Sequence, residues 1–290
     1  MILGGGTGGG TAARGTGARA ALYHGPSLIG VAHGSKDPRA AATIGQLLTE
    51  LRSRAAGRGL GGLEIKAAFL DHCAPSLPQV LGSAAGAAGC VVVPLLLTAA
   101  YHSKTDIPAQ IASAGAARPG ICCADPLGPH PLLLRALERR LAEAGVGAGA
   151  AGREQTSVVL AAAGSSDPEA NATVAAVAAR WQACGGWRRV VPAYASAAGP
   201  SPAEAVRALL ARGDSPVVAP YLLAPGYFAD KVRDSALAAG AAAVSGVLGA
   251  SPEVADVVLD RYQAAVSEHN GSAPVPVRAK PPVPLAAGAG

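Results

Sequence analysis

Residues 28–43 read LIGVAHGSKDPRAAAT, and residues 158–173 read VVLAAAGSSDPEANAT. Both stretches have an apolar run, a Gly-Ser loop and an Asp-Pro pair in the same order. An apolar run followed by a loop and a helix that starts at proline is typical of a strand leading into a helix. The recurrence of this pattern indicates that the chain is an internal duplication.

The correspondence between the two halves continues beyond these stretches. Three further pairs of blocks match: AFLDHCAPS at 68–76 with AYASAAGPS at 193–201, PLLLTAAYHSK at 94–104 with PYLLAPGYFAD at 220–230, and PLGPHP at 126–131 with VLGASP at 247–252. We therefore expect two similar lobes, with the seam in the Gly/Ala stretch Gly145–Gly152.

The order of predicted elements favours an α/β fold in which each lobe is a mostly parallel sheet flanked by helices. In the first half, strands are predicted at Leu28–Ala32, Glu64–Leu70, Cys90–Leu97 and Ile121–Ala124, with helices at 39–54, 77–87, 105–113 and 131–144. In the second half, strands are predicted near 157–162, 189–194, 216–222 and 243–247. The two lobes are expected to enclose a cleft.

The expected boundaries follow the repeats. The first lobe is assigned to residues 27–146 and the second to residues 157–268. The Gly-rich segment 1–26 lacks the apolar stretch of a secretory signal. Its arginines and lack of acidic residues resemble a transit peptide, but its composition favours a disordered leader. The Pro/Ala-rich segment 271–290 is predicted to be a disordered tail.

Composition and charge limit the classes of partner that the protein is expected to bind. The net charge of +5 is spread along the chain with no basic run interleaved with aromatics, so no nucleic-acid partner is expected. A mild positive balance suits an anionic small molecule. No apolar run approaches the ~18–20 residues of a membrane span, so no membrane partner is expected. Five unevenly spaced cysteines argue against a disulfide framework and favour a reducing, cytoplasmic location.

The halves differ at the positions that could carry chemistry. When the repeats are aligned, three polar residues of the first half correspond to inert or weakly polar residues of the second. His33 corresponds to Ala163, Asp71 to Ser196, and His102 to Phe228. Ligands of parallel sheets bind outside the carboxyl ends of the strands, and the three polar residues follow or end three predicted strands. The first lobe is therefore predicted to hold the chemistry, and the second to be a degenerate copy.

Two neutral imidazoles and a carboxylate form a typical ligand set for Fe²⁺, Co²⁺, Ni²⁺ or Zn²⁺, and an open coordination position would remain for a substrate atom. The same groups accept protons near neutral pH. On an extended strand Asp71 and His72 would point in opposite directions, so the sequence leaves open which of them lines the site. His24, His130 and His269 are interpreted as incidental, with His130 capping a helix.

Other catalytic motifs are missing from the sequence. There is no GK[ST] phosphate loop, no G-x-S-x-G elbow and no strand before the leader glycines. AHGS lacks the neighbouring arginine of histidine phosphatases, which disfavours a phosphate-handling α/β enzyme. No nucleotide cofactor is expected.

Four blocks resemble the ATP-independent (class II) sirohydrochlorin chelatases: VAHGSKDPRA, AFLD…PSLPQVL, VVVPLLLTAAYHSKTDIP and DPLGPHP…LERRL. The resemblance covers about residues 27–265. It implies a bilobal fold with a cleft between the lobes, where one lobe of the duplicated form carries the histidines. The metal-contacting histidines of that family match His33 and His102, and the family often has glutamate where this chain has Asp71.

The resemblance implies insertion of a divalent metal, Fe²⁺, Co²⁺ or Ni²⁺, into an octacarboxylate tetrapyrrole without a nucleotide. Iron insertion for siroheme is favoured. The alternatives are a cobaltochelatase of cobalamin biosynthesis and a non-catalytic metal or tetrapyrrole carrier. His33 and His102 are assigned the catalytic role, and Asp71 joins them as a predicted metal ligand.

The remaining site residues are assigned to the macrocycle. Lys36, Arg39 and Lys104 flank the two histidines and are interpreted either as solvated loop charges or as partners of the substrate carboxylates. Tyr227 and Phe228 offer flat apolar surface to the macrocycle, unless Phe228 packs within its own lobe. A monomer is expected, since both lobes belong to one chain.

Overall fold

The computed structural model describes residues 23–83, 89–99, 105–115, 120–147 and 149–271. These residues form two four-stranded parallel sheets with the orders β2-β1-β3-β4 and β6-β5-β7-β8. The strands are β1 (Ser27–Ala32), β2 (Ile65–Phe69), β3 (Cys90–Pro94), β4 (Ile121–Cys123), β5 (Thr156–Ala162), β6 (Arg189–Tyr194), β7 (Ser215–Tyr221) and β8 (Ala243–Val244). The predicted α/β fold with two similar lobes is confirmed.

Helices alternate with these strands. They are α1 (Pro38–Gly57), α2 (Leu77–Ser83), α3 (Ile107–Gly115), α4 (Pro131–Glu143), α5 (Gly149–Gln155), α6 (Pro168–Cys184), α7 (Pro202–Leu210), α8 (Tyr227–Ala238) and α9 (Pro252–Gly271). The predicted seam is more ordered than a linker, because α5 begins inside it at Gly149. The helix-favouring residues Ala, Arg, Glu and Gln within α5 offset the low helix propensity of its two glycines.

The first helix of each repeat begins in the same way. Asp37 caps α1 by accepting a hydrogen bond from the backbone N–H of Arg39 at 2.9 Å, and Asp167 caps α6 through the N–H of Glu169 at 2.9 Å. Proline follows each aspartate at a position where it loses no helical hydrogen bond. The Asp-Pro pair that marks the repeat in the sequence is therefore a helix-start signal in both lobes.

The central strands of both sheets are buried on both faces, as expected for parallel sheets covered by helices. Their side chains are mostly valine, leucine and alanine. One buried apolar cluster includes residues from both sheets, among them Val91 of β3 and Val158 of β5. The two sheets therefore belong to one continuous core.

The last helix of each repeat packs against the sheet of the other repeat. Helix α9 lies on β3 and beside α1, where Asp256 accepts hydrogen bonds from Arg54 and, at 2.7 Å, from Arg58. Helix α4 lies on β7, and its Glu138 accepts a hydrogen bond from the indole N–H of Trp181 in α6 at 3.1 Å. Each sheet is thus completed by a helix from the opposite half.

A reciprocal pair of hydrogen bonds marks this exchange. Arg140 of α4 donates to the carbonyl of Leu248 in the second repeat at 3.0 Å, and Arg261 of α9 donates to the carbonyl of Leu127 in the first repeat at 3.3 Å. The blocks PLGPHP and VLGASP place these residues at matching positions. The two contacts are therefore equivalent, each running from one repeat to the other.

The predicted boundaries, 27–146 and 157–268, follow the sequence repeats, whereas the lobes in space exchange α4 and α9. We call the sheet β1–β4 with its helices the first lobe and the sheet β5–β8 with its helices the second lobe. The chain is already attached to the first lobe at Tyr23, whose N–H donates to the carbonyl of Gly61 at 2.7 Å. Residues 1–22 and 272–290 lie outside the described residues, so disorder there stays a prediction.

Two expectations from composition concern the whole chain. All five cysteines are free thiols, in agreement with the absence of a disulfide framework. Among the described residues, no helix is long and apolar enough to cross a membrane.

Candidate active site

A cleft of about 620 Å³ lies between the two sheets. It is lined by the segments that follow the four central strands: 32–36 after β1, 95–98 after β3, 162–165 after β5 and 221–229 after β7. The carboxyl ends of both sheets therefore face the same volume, as parallel topology predicts. The volume falls in the range of small-molecule sites.

His33 lies directly after β1 and lines the cleft. Its backbone carbonyl accepts a hydrogen bond from the N–H of Asp71 at 2.9 Å, which joins the loop after β1 to the loop after β2. Gly34 has φ +93°, and a Cβ there would lie 1.8 Å from the carbonyl oxygen of Asp71. The two loops thus touch backbone to backbone, which only glycine permits.

Asp71 and His72 do not continue the strand. Strand β2 ends at Phe69, and His72 has φ +62°, so the premise of an extended strand is wrong. His72 lines the cleft, whereas Asp71 is not among its lining residues and its side chain is 64% exposed. An Asp71 carboxylate oxygen accepts a hydrogen bond from the His72 backbone N–H at 2.7 Å. Direct metal ligation by Asp71 stays a prediction.

Two predicted site residues, His102 and Lys104, lie outside the described residues. Residues 95–98, which follow β3, line the cleft beside the loop that carries His33, since β3 pairs with β1. Within the described part of the chain, no three His, Cys, Asp or Glu side chains are grouped closely enough to hold a metal ion. The predicted ligand set is therefore represented here by His33 at the cleft and Asp71 beside it.

The predicted basic residues have different positions. Lys36 lines the cleft on the exposed loop before α1. Arg39 is not among the lining residues, and its guanidinium forms ion pairs with Asp37 at 2.6 Å and with Asp230 of α8 at 2.5 Å. The hydrogen bond from Arg39 lowers the pKa of Asp230. Arg39 thus links the two lobes, and a substrate carboxylate would compete there with two carboxylates of the protein.

The second lobe repeats the loop geometry without its polar groups. Ala163 stands where the first lobe has His33, and Gly164 has φ +84° with the position of a Cβ 1.9 Å from the carbonyl of Ser196. The Ser196 hydroxyl donates to the carbonyl of Ala163 at 2.9 Å, so it serves the loop itself. Ala197 has φ +59° and occupies the same turn position as His72.

Tyr227 and Phe228 form the aromatic part of the second lobe's side of the cleft. Both line the cleft at the start of α8, and their ring centroids lie 5.4 Å apart in an edge-to-face arrangement. Tyr227 is 72% exposed and Phe228 is 38% exposed. Such exposure leaves ring surface accessible in the cleft, and contact of Phe228 with a macrocycle stays a prediction.

The CbiX family model matches the chain twice, at residues 27–144 and 157–265. The chain belongs to the CbiX family. The two matches coincide with the two repeats, so this CbiX-family chain is a duplicated form. The resemblance inferred from the sequence is confirmed.

Curated relatives of this CbiX-family chain have chelatase names. It is 29% identical over 193 residues to the sirohydrochlorin ferrochelatase of Bacillus subtilis (strain 168), a match covering 64% of this chain and 72% of that protein. It is 28% identical over 213 residues to the sirohydrochlorin cobaltochelatase of Priestia megaterium, covering 72% of this chain and 67% of that protein.

Solved structures share the bilobal fold of this CbiX-family chain. SirB from Bacillus subtilis with Fe³⁺ superimposes with a TM-score of 0.73 at 25% identity, covering 85% of this chain and 98% of that chain. The structure of CbiX, the terminal enzyme for biosynthesis of siroheme in denitrifying bacteria, has a TM-score of 0.58 at 20% identity, covering 82% and 99%. The latter likeness shows the fold alone.

Sequence reasoning missed one feature of the site in this CbiX-family chain and left a second open. Asn171 lines the second-lobe side of the cleft, and its amide both accepts from the Ser165 N–H at 3.0 Å and donates to the Ser165 carbonyl at 2.7 Å. The repeat places Asn171 opposite Ala41, which was the available signal. The second feature is His72, which the repeat places opposite Ala197.

Proposed function

We propose that this protein is a sirohydrochlorin chelatase, an enzyme that inserts a divalent metal ion as substrate into the tetrapyrrole sirohydrochlorin. The observation that carries the proposal is the asymmetry of the cleft. One side presents imidazoles, and the opposite side presents aromatic rings at the matching rim. The similarity to proteins named sirohydrochlorin ferrochelatase and cobaltochelatase supports the same reaction.

The first lobe is suited to hold the metal briefly. Imidazole is a ligand that Fe²⁺, Co²⁺ and Ni²⁺ all accept. Because the metal is a substrate, it must leave the protein for the macrocycle, and open coordination positions allow the macrocycle nitrogens to enter. His33 is the described ligand in this proposal. His102, further along the chain after β3, is its predicted partner, and Asp71 is the predicted third ligand.

The second lobe is suited to the macrocycle. Tyr227 and Phe228 offer ring surface to a flat conjugated ligand, and the adjoining segment 221–226 lines the same side of the cleft. Lys36 on the opposite rim is placed to meet substrate carboxylates. The macrocycle would then lie with its nitrogens toward the first lobe, where binding energy is used to orient it for metal transfer.

Insertion of the metal displaces two pyrrole protons, which need an acceptor in the cleft. A neutral imidazole or a carboxylate on the first-lobe rim serves this purpose near neutral pH. No nucleotide is required in the proposal, because binding of the metal by four macrocycle nitrogens is favourable once the protons leave. The preference for Fe²⁺ over Co²⁺ stays a prediction, since imidazole ligands accept both ions.

The test is metallation by the purified full chain under anaerobic conditions, with sirohydrochlorin and Fe²⁺ or Co²⁺ and no nucleotide, followed through the absorbance of the macrocycle. The protein is expected to accelerate insertion well above the uncatalysed rate. His33→Ala is expected to lower the rate by about 100-fold or more, because it removes a metal ligand and proton acceptor from the cleft.

His130→Ala is the matched histidine control. His130 accepts a hydrogen bond from the Leu132 N–H at 3.2 Å as the cap of α4 and is not among the cleft-lining residues. Its loss should leave the insertion rate unchanged. Binding of sirohydrochlorin without faster insertion would indicate a carrier instead, and an absolute requirement for ATP would reject the proposed mechanism.

A further inference from the structure

His72 is a cleft residue for which the proposed function has no role. It lines the cleft together with His33, and the centroids of the two imidazole rings lie 6.4 Å apart with an angle of 51° between the ring planes. The residues belong to different loops, one after β1 and one after β2. The fold therefore brings together two residues that are far apart along the chain.

The backbone holds these two loops in register. The parallel pairing of β1 with β2 continues beyond both strands, since the Leu70 N–H donates to the carbonyl of Ala32 at 3.0 Å and the Asp71 N–H donates to the carbonyl of His33 at 2.9 Å. These bonds fix the relation of the His33 and His72 backbones, so only side-chain torsions remain free to adjust the distance between the rings.

The turn at His72 belongs to the repeat, and the imidazole is specific to the first lobe. His72 has φ +62° and Ala197 has φ +59° at the matching position of the second lobe. A non-glycine residue in this left-handed region is strained, and the strain is present in both lobes. The strain is therefore no sign of function, but the second lobe has lost both imidazoles, with Ala163 opposite His33 and Ala197 opposite His72.

The observed separation is close to the longest that a shared ion allows. A metal–nitrogen bond to histidine is about 2.1 Å long, so two imidazoles on one ion have ring centroids at most about 6.5 Å apart. The separation of 6.4 Å lies inside that limit. To share one ion as adjacent ligands, the two side chains must rotate so that the ring centroids come to about 5 Å apart.

Asp71 is placed to orient His72. One carboxylate oxygen of Asp71 accepts from the His72 backbone N–H at 2.7 Å and lies 3.4 Å from Nδ1 of the same imidazole. A carboxylate near one ring nitrogen favours a proton there and leaves the other nitrogen for a metal. Around metal-bound histidines a carboxylate commonly accepts a hydrogen bond from the ring and sets its orientation, and shortening of this 3.4 Å contact would complete such a bond.

We infer that His72 is a metal ligand that shares the incoming divalent ion with His33, and that Asp71 acts as a positioning residue through His72. The inference rests on the proposed function for the destination of the ion, but the binding step can be measured without the tetrapyrrole. It differs from direct ligation by Asp71 in one respect: the carboxylate matters only while the imidazole is present.

The experiment titrates the full chain with Co²⁺ alone and follows binding by calorimetry and by the visible absorbance of the bound ion. His72→Ala is expected to weaken Co²⁺ binding by about 10–100-fold and to change the absorbance spectrum, because one imidazole ligand is lost. Ala197 shows that alanine is accommodated in this turn. His269→Ala, which removes an exposed histidine on α9, is the control and should bind Co²⁺ like the wild type.

A double-mutant cycle separates the two roles of the carboxylate. Asp71→Asn is expected to weaken Co²⁺ binding less than His72→Ala, and the double variant should bind no more weakly than His72→Ala alone. Wild-type affinity in His72→Ala, or additive losses in the double variant, would overturn the inference. A wild-type protein that binds Co²⁺ through His72 yet does not metallate sirohydrochlorin would refute the proposed function and leave this inference standing.

Discussion

Matching positions at the cleft rims of the two lobes hold side chains of different chemistry. At the first-lobe rim, imidazoles can bind a metal ion, whereas Ala163, Ala197 and Phe228 at the matching positions have no nitrogen or oxygen in their side chains. A duplicated protein with two metal rims would hold two ions facing each other across one cleft. Loss of the donors in one copy leaves that side free to contact an apolar ligand face.

Phe228→Ala tests this division at the level of one side chain. Removing the ring is expected to weaken sirohydrochlorin binding by about 1–2 kcal/mol, roughly 5- to 30-fold, because ring contact with the macrocycle is lost. Co²⁺ affinity should not change. Absorbance titration of sirohydrochlorin and calorimetry with Co²⁺ measure the two quantities.

The control for this variant is Leu237→Ala, which removes an exposed apolar side chain from the same helix, α8, at a residue that is not among those lining the cleft. It should bind both ligands like the wild type. Unchanged macrocycle affinity in Phe228→Ala, or weaker Co²⁺ binding, would contradict the assigned roles of the two rims.

At this scale the sequence placed His33 at the cleft and left open whether Asp71 or His72 lines it. The position of His33 follows from a local pattern, an apolar run that ends in a loop. The position of His72 depends on where β2 stops, and β2 stops because the chain turns so that the Phe69 N–H donates to the carbonyl of Pro75 at 3.0 Å. Composition and periodicity do not reveal that turn. Comparison of the repeats at residues 72 and 197 would have revealed the loss of an imidazole.

The loops after β1 and β5 show how an element can keep its shape while its chemistry changes. Gly34 and Gly164 have φ values of +93° and +84°, and an added Cβ would meet a carbonyl oxygen at 1.8 Å in one case and 1.9 Å in the other. Both contacts force the same displacement of the neighbouring loop. The two glycines are therefore a matched pair for separating structural from functional effects.

Gly34→Ala and Gly164→Ala are expected to lower the free energy of unfolding by similar amounts, on the order of 1–3 kcal/mol, because each forces backbone strain. Only Gly34→Ala should weaken Co²⁺ binding, since it moves the loop that carries Asp71 and His72 away from His33. Chemical denaturation and calorimetry provide the two readouts. Equal weakening of Co²⁺ binding in both variants would mean that metal binding does not depend on the first-lobe loops.

Helix α9 is held on the first lobe by an ion-pair cluster around Asp256. Its carboxylate is 16% exposed and lies between the guanidiniums of Arg54 and Arg58. Burial raises the pKa of this carboxyl, but hydrogen bonds from the two arginines outweigh burial and hold it below the ordinary value of 3.8. The charged form therefore stabilises the fold.

Asp256→Asn is expected to lower the free energy of unfolding by about 1–3 kcal/mol near pH 7. Because the folded pKa lies below the unfolded one, the contribution is complete above pH 3.8 and is lost as the pH falls through the folded value. The stability gap between wild type and variant should close in acid. Denaturation curves across this pH range measure it, with the exposed Asp234→Asn as a control that shows little gap at any pH. A gap that is independent of pH would contradict the role of the charge.

For the whole molecule, the sequence predicted two parallel α/β lobes because strand patterns and helix starts are local and occur twice. It did not predict the exchange of α4 and α9. Amphipathic spacing shows that a helix has an apolar face, but a duplicated protein offers two similar sheets that could receive it. The choice is made by tertiary contacts such as those of Arg140 and Arg261 with the opposite repeat.

Because α4 and α9 each cover the sheet of the opposite half, we expect that the halves do not fold independently. A chain of residues 23–147 lacks α9, which covers the first sheet, and its α4 lacks the second sheet. Leu133, Leu137 and Leu141 of α4 are all buried in the full chain, and their exposure would cost roughly 5–9 kcal/mol in total, which is comparable to the stability of a small domain.

Two copies of the fragment could cover the exposed sheet and bury α4 if each placed its α4 on the sheet of the other. Light scattering after size-exclusion chromatography should therefore find this fragment as a dimer or an aggregate, while the full chain elutes as a monomer. A fragment that is monomeric and unfolds cooperatively would show that the exchanged helices are not required to complete the first lobe.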